Sequence, residues 1–434
     1  MQFILAIVAL LAGAEGQPNI VVVMADDLGL GDVACYGGTM ALTPRLDRMA
    51  REGIKFNHYY SASPICSPSR AGLLTGTFPA RWRLTSYLQT RAGNAGCGQA
   101  DFLDPQAPTL PRLLKQAGYA TAHIGKWHLG GGRDVVNAPP FAAYGYDHHA
   151  STYESPQPHP DITATPWVWS DKDRVKRWER TAFFVDQTVE FLGKQSTKPG
   201  FVFLWLDDPH SPWVPDAEKP RKDTPASLRR VLENMDFQIG RLLDRLDAMP
   251  QGKNTLVLFI SDNGPRPSYQ GKRTMGLRGE KLSLYEGGIR LPCLVRWPGV
   301  IAPGGVDDST VLSAVDMLPT LAAVAGAEVV KVNPLDGENQ IGAFRGQPRV
   351  RSRPLFWEYG RNNKYFDYPV AASDRSGPLA MRDGHYKLLC KPDGTGAELF
   401  NLAMDPKEQI NIAETQNEIA TSMKAKLLAW WRSL

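Results

Sequence analysis

The chain has 434 residues, with 49 Lys and Arg against 45 Asp and Glu, which gives a formal net charge of +4. Hydrophobic residues make up 43% of it and charged residues 22%, a composition that excludes disordered, collagen-like and coiled-coil proteins. The small and dispersed positive excess gives no support to a nucleic-acid-binding function. A chain of this length favours one large domain, alone or with a smaller one.

Residues 3–14 form an apolar segment of the length found in signal peptides and too short to cross a bilayer. Small residues flank Glu15, so cleavage after Gly16 is expected and residues 1–16 are predicted to be a signal peptide. The alternative is a buried first strand. The secretory interpretation predicts a periplasmic or secreted protein, and no later segment has the roughly twenty apolar residues of a membrane helix, so no stable membrane insertion is expected.

The five cysteines are few for an exported chain, and their odd number leaves at least one without a disulfide partner. Cys35, Cys97, Cys293 and Cys390 either pair with one another or are small buried hydrophobic residues. Cys66 is the candidate for a separate role.

Short apolar segments of strand type alternate with amphipathic helices through the first three quarters of the chain. The clearest strands are 20–24, 120–124, 201–206 and 256–260. Helices are expected after Thr43, between Thr109 and Gly118, and from Val231 to Leu246. This alternation predicts an α/β fold in which helices sandwich a large, mostly parallel mixed sheet.

From about residue 331 the pattern changes to short strands of an antiparallel type. Strands are predicted at 354–359, 379–382, 385–389 and 398–402, with a helix at 415–432. The Asp383-Gly384 pair between the second and third strands is a strong hairpin signal. We therefore expect a large N-terminal domain over 17–330 and a C-terminal α+β subdomain over 331–434, a small antiparallel sheet with one helix.

Two segments between the predicted strands need separate interpretation. Residues 130–170 are rich in Gly, Pro and aromatic residues, and a long irregular segment of this kind is either functional or disordered. The aromatic residues favour an ordered, ligand-binding segment, and the alternative is a packed surface loop without a ligand. Residues 171–180, with five Lys or Arg and three Asp or Glu, predict a solvated helical face.

Each of the four strands runs directly into polar residues at its carboxyl end. These residues are Asp26 and Asp27, Lys126 and His128, Asp207 with Asp208 and His210, and Asp262 with Asn263. One such pair is most simply a solvated strand end, but four of them predict a site, because α/β sheets bind ligands at this edge. Asp26, Asp27, Asp262 and Asn263 offer only oxygen atoms, the donors that Ca²⁺ and Mg²⁺ prefer.

The segment around Cys66 combines a helix start with an anion-binding side chain. Ser67 is a good N-cap and Pro68 suits a first turn, which would place Cys66 at a helix N-terminus that attracts anions. Arg70 follows one turn later with a planar group suited to oxyanions. Cys66 is then either a thiol nucleophile with a lowered pKa or a structural cysteine.

The segment Cys66-Ser67-Pro68-Ser69-Arg70, with the Leu-Leu-Thr-Gly sequence at 73–76, resembles the signature of the type I, formylglycine-dependent sulfatases. Residues 118–128 resemble the second signature of that family. The similarity continues through 208–213, 261–264, 279–281, 285–290, 382–384 and 399–402. It covers nearly the whole chain after residue 16 and implies an alkaline-phosphatase-like fold with a sulfatase catalytic domain at 17–330.

The resemblance implies that a formylglycine-generating enzyme or a radical maturase oxidises Cys66 to formylglycine (3-oxoalanine). The hydrated aldehyde would attack the sulfur of a sulfate ester and later expel sulfate. One Ca²⁺ would be held by Asp26, Asp27, Cys66, Asp262 and Asn263. Arg70 would hold the metal and the formylglycine, Lys126 and Lys281 would neutralise sulfate oxygens, His210 would protonate the departing alcohol, and His128 would deprotonate the diol.

The expected substrate is a sulfated carbohydrate or polysaccharide. Candidate sugar-binding residues are Arg133, His148, His149, Trp167, Trp169, Arg375 and His385. Two alternatives remain open at this point. The first is a phosphatase or phosphodiesterase of the same superfamily, whose members generally use two metals and histidine ligands. The second is a catalytically silent glycan-binding relative.

Overall fold

The computed structural model describes residues 16–162, 173–195, 197–217, 223–266, 269–329, 335–362 and 364–434. Apart from Gly16, the predicted signal peptide lies outside the described residues, and so do Trp167 and Trp169. None of the helices in these described ranges has the length and apolarity needed to cross a bilayer.

The strands form two sheets in the described part of the chain. They are β1 (Asn19–Ala25), β2 (Ile54–Tyr60), β3 (Ala120–Gly125), β4 (His148–Ser151), β5 (Gly200–Trp205), β6 (Thr255–Ser261), β7 (Arg290–Arg296), β8 (Gly305–Asp307), β9 (Leu312–Ser313), β10 (Leu355–Glu358), β11 (Leu379–Asp383), β12 (Tyr386–Cys390) and β13 (Glu398–Asn401). The α-helices are α1 (Pro44–Glu52), α2 (Cys66–Thr75), α3 (Arg91–Cys97), α4 (Leu110–Gln116), α5 (Arg180–Gly193), α6 (Pro225–Asp247), α7 (Glu286–Ile289), α8 (Met317–Val324), α9 (Ile341–Phe344) and α10 (Asn417–Arg432).

The large sheet has the strand order β4-β3-β5-β1-β6-β7-β2-β8, and β9 pairs with β2. Its first five strands are parallel, β7 is antiparallel to both of its neighbours, and β8 and β9 run parallel to β2. Every residue of β1, β5 and β6 is buried, as expected for continuous apolar segments in a parallel sheet. The predicted fold class, a large mixed and mostly parallel sheet, is confirmed.

Helices cover both faces of this sheet. Along β1, Ile20, Val22 and Met24 belong to one apolar cluster, while Val21 and Val23 belong to a second. The first cluster includes side chains of α2, α4 and α8, and the second includes side chains of α1, α5 and α6. Because successive side chains of a strand point to opposite faces, the two clusters are the two layers of a helix–sheet–helix sandwich.

The second sheet is small and antiparallel, in the order β10-β11-β12-β13. Asp383 pairs with Tyr386 at the predicted hairpin, and Gly384 adopts a φ of +56°, which a glycine tolerates without strain. Helix α10 packs on this sheet through Met423 and Leu427. The domain division near residue 330 falls at residues 330–334, outside the described residues, and stays a prediction.

Strands β2 and β7 were not expected from the sequence. In β7, Pro292 argues against a central strand, because proline cannot donate a hydrogen bond to the ladder. The pairing of β2 with β7 is irregular between Phe56 and Tyr59, opposite this proline, and a bulge of that kind accommodates it. Polar residues in β2, among them His58, also break its apolar pattern.

The predicted solvated face at residues 171–180 is wrong for the part that the structure describes. Arg177 and Arg180 are 1% and 0% exposed. Arg177 pairs with Asp208 at 2.6 Å, and Arg180 pairs with Asp207 at 2.8 Å. The carboxylates that follow β5 compensate these two buried charges, a tertiary contact that charge counting along the sequence does not reveal.

Candidate active site

The carboxyl ends of β3, β5, β1 and β6 lie side by side and bring their polar residues to one edge of the sheet. The ligand atoms of Asp26, Asp27, Cys66 and His210 all lie within 4.8 Å of one another, and all four residues are buried. Asp262 and Asn263 adjoin this group. Asp262 Oδ1 accepts a hydrogen bond from the Asp27 amide at 3.1 Å, and Asn263 Nδ2 donates to Asp27 Oδ1 at 2.7 Å.

Three carboxylates are crowded together in this group, and their pKa values reflect it. Burial and the charge of Asp26 raise the pKa of Asp262 to about 7. Burial alone would also raise the pKa of Asp26, but Lys126, His210 and Arg70 hold it well below its usual range. The neighbouring cations therefore lower the pKa of Asp26 but leave that of Asp262 raised.

The donor atoms fit a hard divalent cation. Among the described residues, Asn263 Oδ1 is buried without a hydrogen-bond partner. This oxygen and the three carboxylates are donors of the kind that Ca²⁺ takes. A cation would offset the burial and the repulsion by Asp26 that together raise the pKa of Asp262. His210 belongs to the same compact group, although the family resemblance implies that it donates a proton rather than binds the metal.

Three cationic side chains surround the carboxylates. Lys126 Nζ lies 2.5 Å from Asp26, and Lys281 Nζ lies 2.6 Å from Asp27 Oδ1 and 3.7 Å from Cys66 Sγ. Arg70 is fully buried and pairs with Asp262 at 2.8 Å. These cations make the site attractive to an anion that displaces part of the carboxylate contacts.

Cys66 is the first residue of α2, and Ile65 rather than Ser67 precedes the helix as its N-cap. Ser67 instead accepts a hydrogen bond from the Leu88 amide at 3.0 Å, so the expected cap is wrong by two residues. Cys66 Sγ lies 3.9 Å from Asp26 Oδ1. Burial raises the pKa of the Cys66 thiol to about 12 despite Lys126 and Lys281, which contradicts the hypothesis of a thiol with a lowered pKa.

Several residues of the site adopt left-handed backbone conformations that are costly for side chains other than glycine. The φ angles are +64° for Asp27, +55° for His128, +52° for Arg133 and +75° for Leu282. The hydrogen bond from the His128 amide to the Glu154 carbonyl, at 3.1 Å, helps to hold one of them. Such strain is concentrated at functional sites, where the surrounding structure fixes the backbone.

The two histidines have different surroundings. His210 Nδ1 lies 2.5 Å from the Ser211 carbonyl and therefore donates to it, while Nε2 lies 3.7 Å from Asp27 Oδ2. Burial lowers the pKa of His210 to about 4, although Asp27 opposes the shift. His128 Nε2 lies 3.2 Å from Glu154 Oε2 and 3.3 Å from the Leu88 carbonyl, so this nitrogen carries a proton.

Sequence reasoning missed Glu154. This residue is 4% exposed, and it contacts both His128 and Arg133, the latter at 2.9 Å. Burial raises its pKa, with Arg133 and Lys126 opposing. A lone carboxylate in an irregular aromatic segment carries no sequence signal of such a role. Arg177 was missed as well, and it donates to the His210 carbonyl at 3.1 Å.

A cavity of about 500 Å³ opens above Cys66. Its lining includes Cys66, His210, Lys281, Tyr87, Arg133 and Tyr368. Of the candidate sugar-binding residues, Arg133 therefore lines this cavity. Arg375 does not, but its guanidinium lies 5.9 Å from the ring centre of Tyr368.

The other candidate sugar-binding residues lie elsewhere. His148 and His149 belong to the edge strand β4, where they stack on Phe191 and Phe141. His385 lines a different cavity. Much of the aromatic segment is core, since Phe141 and its neighbours Tyr144 and Tyr146 are buried around Trp127.

Comparison with known proteins decides the family. The sequence model of the family described as Sulfatase matches residues 18–327, and that of the C-terminal region of N-sulphoglucosamine sulphohydrolase matches residues 279–432. The chain belongs to the sulfatase family. This confirms the resemblance to the type I, formylglycine-dependent sulfatases, and the sulfatase is an enzyme that hydrolyses sulfate esters.

Individual relatives agree with this assignment. The sulfatase is 33% identical to human N-acetylgalactosamine-6-sulfatase, over 80% of this chain and 70% of that protein. It is 27% identical to an N-acetylgalactosamine-6-O-sulfatase of Bacteroides thetaiotaomicron, over 95% and 92%. Its structure is similar to that of Ps i-CgsB, solved in complex with k-i-k-neocarrahexaose, with a TM-score of 0.76, 26% identity and coverage of 95% and 92%.

Proposed function

We propose that this sulfatase removes an O-sulfate group from a carbohydrate, using a formylglycine made from Cys66 and one bound Ca²⁺. The observation that carries the proposal is the place of Cys66, whose Sγ lies 3.9 Å from Asp26 and 3.7 Å from Lys281 at the bottom of the cavity. The side chain at position 66 is thus adjacent both to carboxylate oxygens that would bind a metal ion and to ammonium groups that would bind an anion.

The residues that would hold Ca²⁺ are Asp26, Asp27, Asp262 and Asn263, together with residue 66. The ion would add positive charge beside the three buried carboxylates and would act as a Lewis acid beside residue 66. A hydrated formylglycine would supply a nucleophilic oxygen and a way to release sulfate that a thiol lacks. Arg70, fixed between Asp262 and the Lys126 carbonyl at 2.8 Å and 3.0 Å, keeps the carboxylates in place.

Lys126 and Lys281 are the groups that bind the sulfate oxygens. Lys281 reaches both Asp27 and Cys66, and Lys126 contacts Asp26. Because Lys126 is buried and Lys281 is only 12% exposed, their interaction with a bound anion is stronger than it would be in water. Their contribution grows as charge develops on the sulfate oxygens.

His210 is the proposed proton donor to the departing alcohol. Its Nδ1 donates a hydrogen bond to the Ser211 carbonyl, so Nε2 is the atom that faces Asp27 and the cavity. A bound sulfate ester adds negative charge next to this ring, which favours the protonated form. His128, which contacts Glu154 and also lines the cavity, is the proposed acceptor of the second proton.

The carbohydrate substrate is supported by the relatives and by the cavity. Two relatives are named as N-acetylgalactosamine 6-sulfatases, and a structural relative was solved in complex with k-i-k-neocarrahexaose. Tyr87 and Tyr368 give the cavity aromatic surface, and Arg133 adds a cation near its wall. Such a lining suits a sugar ring that carries the ester.

We extend the proposal to the export and maturation of the chain. The N-terminal apolar segment directs export to the periplasm or the exterior, after a formylglycine-generating enzyme or a radical maturase has acted on Cys66. Residues 17–330 form the catalytic domain in this proposal, and residues 331–434 form the C-terminal subdomain.

Co-expression with a maturase, followed by mass spectrometry of the peptide containing Cys66, tests the nucleophile. We expect the mass of formylglycine, sulfate release from N-acetylgalactosamine 6-sulfate or another sulfated sugar, and loss of activity in Cys66→Ala. Removal of metal with a chelator is expected to abolish activity and lower the Tm, with Ca²⁺ restoring both. Unmodified Cys66 in an active enzyme, or phosphate release in preference to sulfate release with two zinc ions per chain, would contradict the proposal.

A further inference from the structure

A second cavity, of about 560 Å³, lies between the antiparallel end of the large sheet and the small sheet. Its lining contains Arg290, Arg351, Arg353 and Arg382, with His58 and His385. His58 belongs to the β2 bulge, Arg290 begins β7 and Arg382 belongs to β11. Within the described residues, the lining contains a single carboxylate, Asp308, and shares no residue with the cavity above Cys66.

Arg382 has hydrogen-bonding capacity that the described residues do not use. The residue is 5% exposed, and its Nη1 is buried without a hydrogen-bond partner among them. Its position is fixed, since Nε donates to the Gly384 carbonyl at 3.2 Å and the guanidinium lies 4.7 Å from the ring centre of Tyr60. A buried charged donor left without an acceptor is costly, which points to a ligand that completes it.

Arg351 repeats this arrangement on another wall of the cavity. Its side chain is 7% exposed, Nη1 pairs with Asp316 at 2.5 Å, and Nε donates to the Arg353 carbonyl at 2.9 Å. Its Nη2 is buried, again without a hydrogen-bond partner in the described part of the chain. Two guanidinium groups are thus held rigidly, each with an unused donor nitrogen.

The side chains that line the cavity carry a net positive charge. Burial, together with Arg290 and Arg382, lowers the pKa of His58 to about 4, so this imidazole is neutral near pH 7. Glu286 lies 3.9 Å from Arg290, but it also pairs with Lys387 at 3.0 Å and is therefore shared. Asp316 pairs with Arg351, but the lining itself has four arginines against the single carboxylate Asp308.

We propose that this cavity is a second oxyanion site, which binds a sulfate-type tetrahedral anion outside the catalytic cavity. Planar guanidinium groups donate two hydrogen bonds at once to sulfate oxygens, and several of them around one cavity suit an anion with four acceptor atoms. The volume exceeds that of a single ion and admits a sugar unit that carries the sulfo group. The ligand is therefore a sulfo group on a glycan chain or free inorganic sulfate, and neither source requires the proposed hydrolysis.

Isothermal titration at constant ionic strength tests the site with two probes, sodium sulfate and a heparin-derived hexasaccharide. All variants carry Lys281→Ala, which weakens binding in the catalytic cavity and leaves the second cavity intact. We expect Arg353→Gln, a change at an exposed residue of the lining, to weaken binding of at least one probe by roughly tenfold or more. The control Arg229→Gln removes the same charge from an exposed position of α6 and is expected to change neither affinity.

The two probes distinguish the source of the anion. A loss for the hexasaccharide alone identifies a sulfo group on a glycan, whereas a loss for both probes identifies a general sulfate site. Selenate soaked into crystals of the full chain is expected to give an anomalous peak between Arg351 and Arg382, and this measurement does not depend on the folding of any variant. Affinities that match those of Arg229→Gln for both probes, together with selenate only above Cys66, would overturn the proposal.

Discussion

Glu154 shows how a single buried carboxylate can position two residues that line the cavity above Cys66. It does not line the cavity, but it contacts the Nε2 atom of His128 at 3.2 Å and the Nε atom of Arg133 at 2.9 Å. Both of these residues adopt left-handed backbone conformations, at φ angles of +55° and +52°. We therefore regard Glu154 as a positioning residue rather than a catalytic one.

Replacing Glu154 with Gln is expected to lower kcat by about 10–100-fold with little change in KM, because the variant removes the charge that orients His128. The pH profile of kcat should also shift, since the imidazole loses a neighbouring carboxylate that favours its protonated form. Steady-state kinetics from pH 5 to 9 checks both effects. The control Glu190→Gln alters an exposed carboxylate of α5 and should leave kcat unchanged. An unaltered kcat and pH profile in Glu154→Gln would exclude the positioning role.

His58 makes stability dependent on pH. Burial, with Arg290 and Arg382, lowers its pKa from 6.5 to about 4 in the folded chain. The unfolded chain therefore binds the proton first as the pH falls, so the stabilisation is complete above about pH 6.5 and is lost between about pH 6.5 and 4. Because the side chain is only partly buried, we expect a loss of about 1–2 kcal/mol rather than the full value of the shift.

Urea unfolding of the wild type and His58→Gln at about pH 7.5 and 4.5 isolates this component. The variant should lose less stability between the two pH values than the wild type does, since glutamine does not titrate. Equal losses in the two proteins would show that His58 is not the group responsible.

At the scale of elements, α2 determines where residue 66 lies. All ten residues of this helix are buried, and Gly72 lies where an added Cβ would be 2.3 Å from the Ala62 Cβ. The helix therefore has no room for even one further methyl group at that point. A displacement of α2 would move Cys66 relative to the carboxylates at the end of β1.

Gly72→Ala is expected to lower the free energy of unfolding by about 1–3 kcal/mol, because overpacking outweighs the higher helix propensity of alanine. Chemical denaturation measures the change, and activity is expected to fall with it. Gly193→Ala is the matched control in α5, because an added Cβ there meets no atom within 4 Å. That control should be neutral or slightly stabilising, and a neutral Gly72→Ala would contradict the tight packing of α2.

The elements that sequence could predict are those whose pattern is local. The four apolar strands 20–24, 120–124, 201–206 and 256–260 are adjacent in the sheet, and their polar ends meet at one edge. Strand β7 was not predicted because it contains Pro292, which a central strand tolerates only opposite a bulge such as the one in β2. That bulge arises from the pairing of the two strands and leaves no signal in the sequence. Motif similarity indicated Cys66 and its neighbours, whereas Glu154 and Arg177 act through contacts between distant segments.

For the molecule as a whole, a buried ion cluster joins the small sheet to the large domain. Lys387 of β12 pairs with Glu286 of α7 at 3.0 Å and with Glu408 at 2.9 Å, and all three residues are fully buried. Burial raises the pKa of Glu408 to about 7, with Lys387 opposing. Removing the lysine would leave two buried carboxylates close together.

Lys387→Met is therefore expected to lower the free energy of unfolding by about 3–5 kcal/mol near pH 8. The deficit should be smaller near pH 5.5, where protonation of Glu408 removes part of the repulsion. Denaturant unfolding at the two pH values gives both quantities. The control Lys426→Met breaks an exposed pair with Asp383 and should cost less than about 0.5 kcal/mol. A deficit for Lys387→Met that does not change with pH would refute this explanation.

All five cysteines are described in the structure, and each one is free. The tertiary structure thus contains no covalent cross-link whose formation depends on an oxidant, and reducing agents such as dithiothreitol have no bond in it to break. The proposed conversion of Cys66 needs a free thiol, and in this structure none of the other four cysteines is bonded to it. We therefore expect the free energy of unfolding to be the same with and without dithiothreitol.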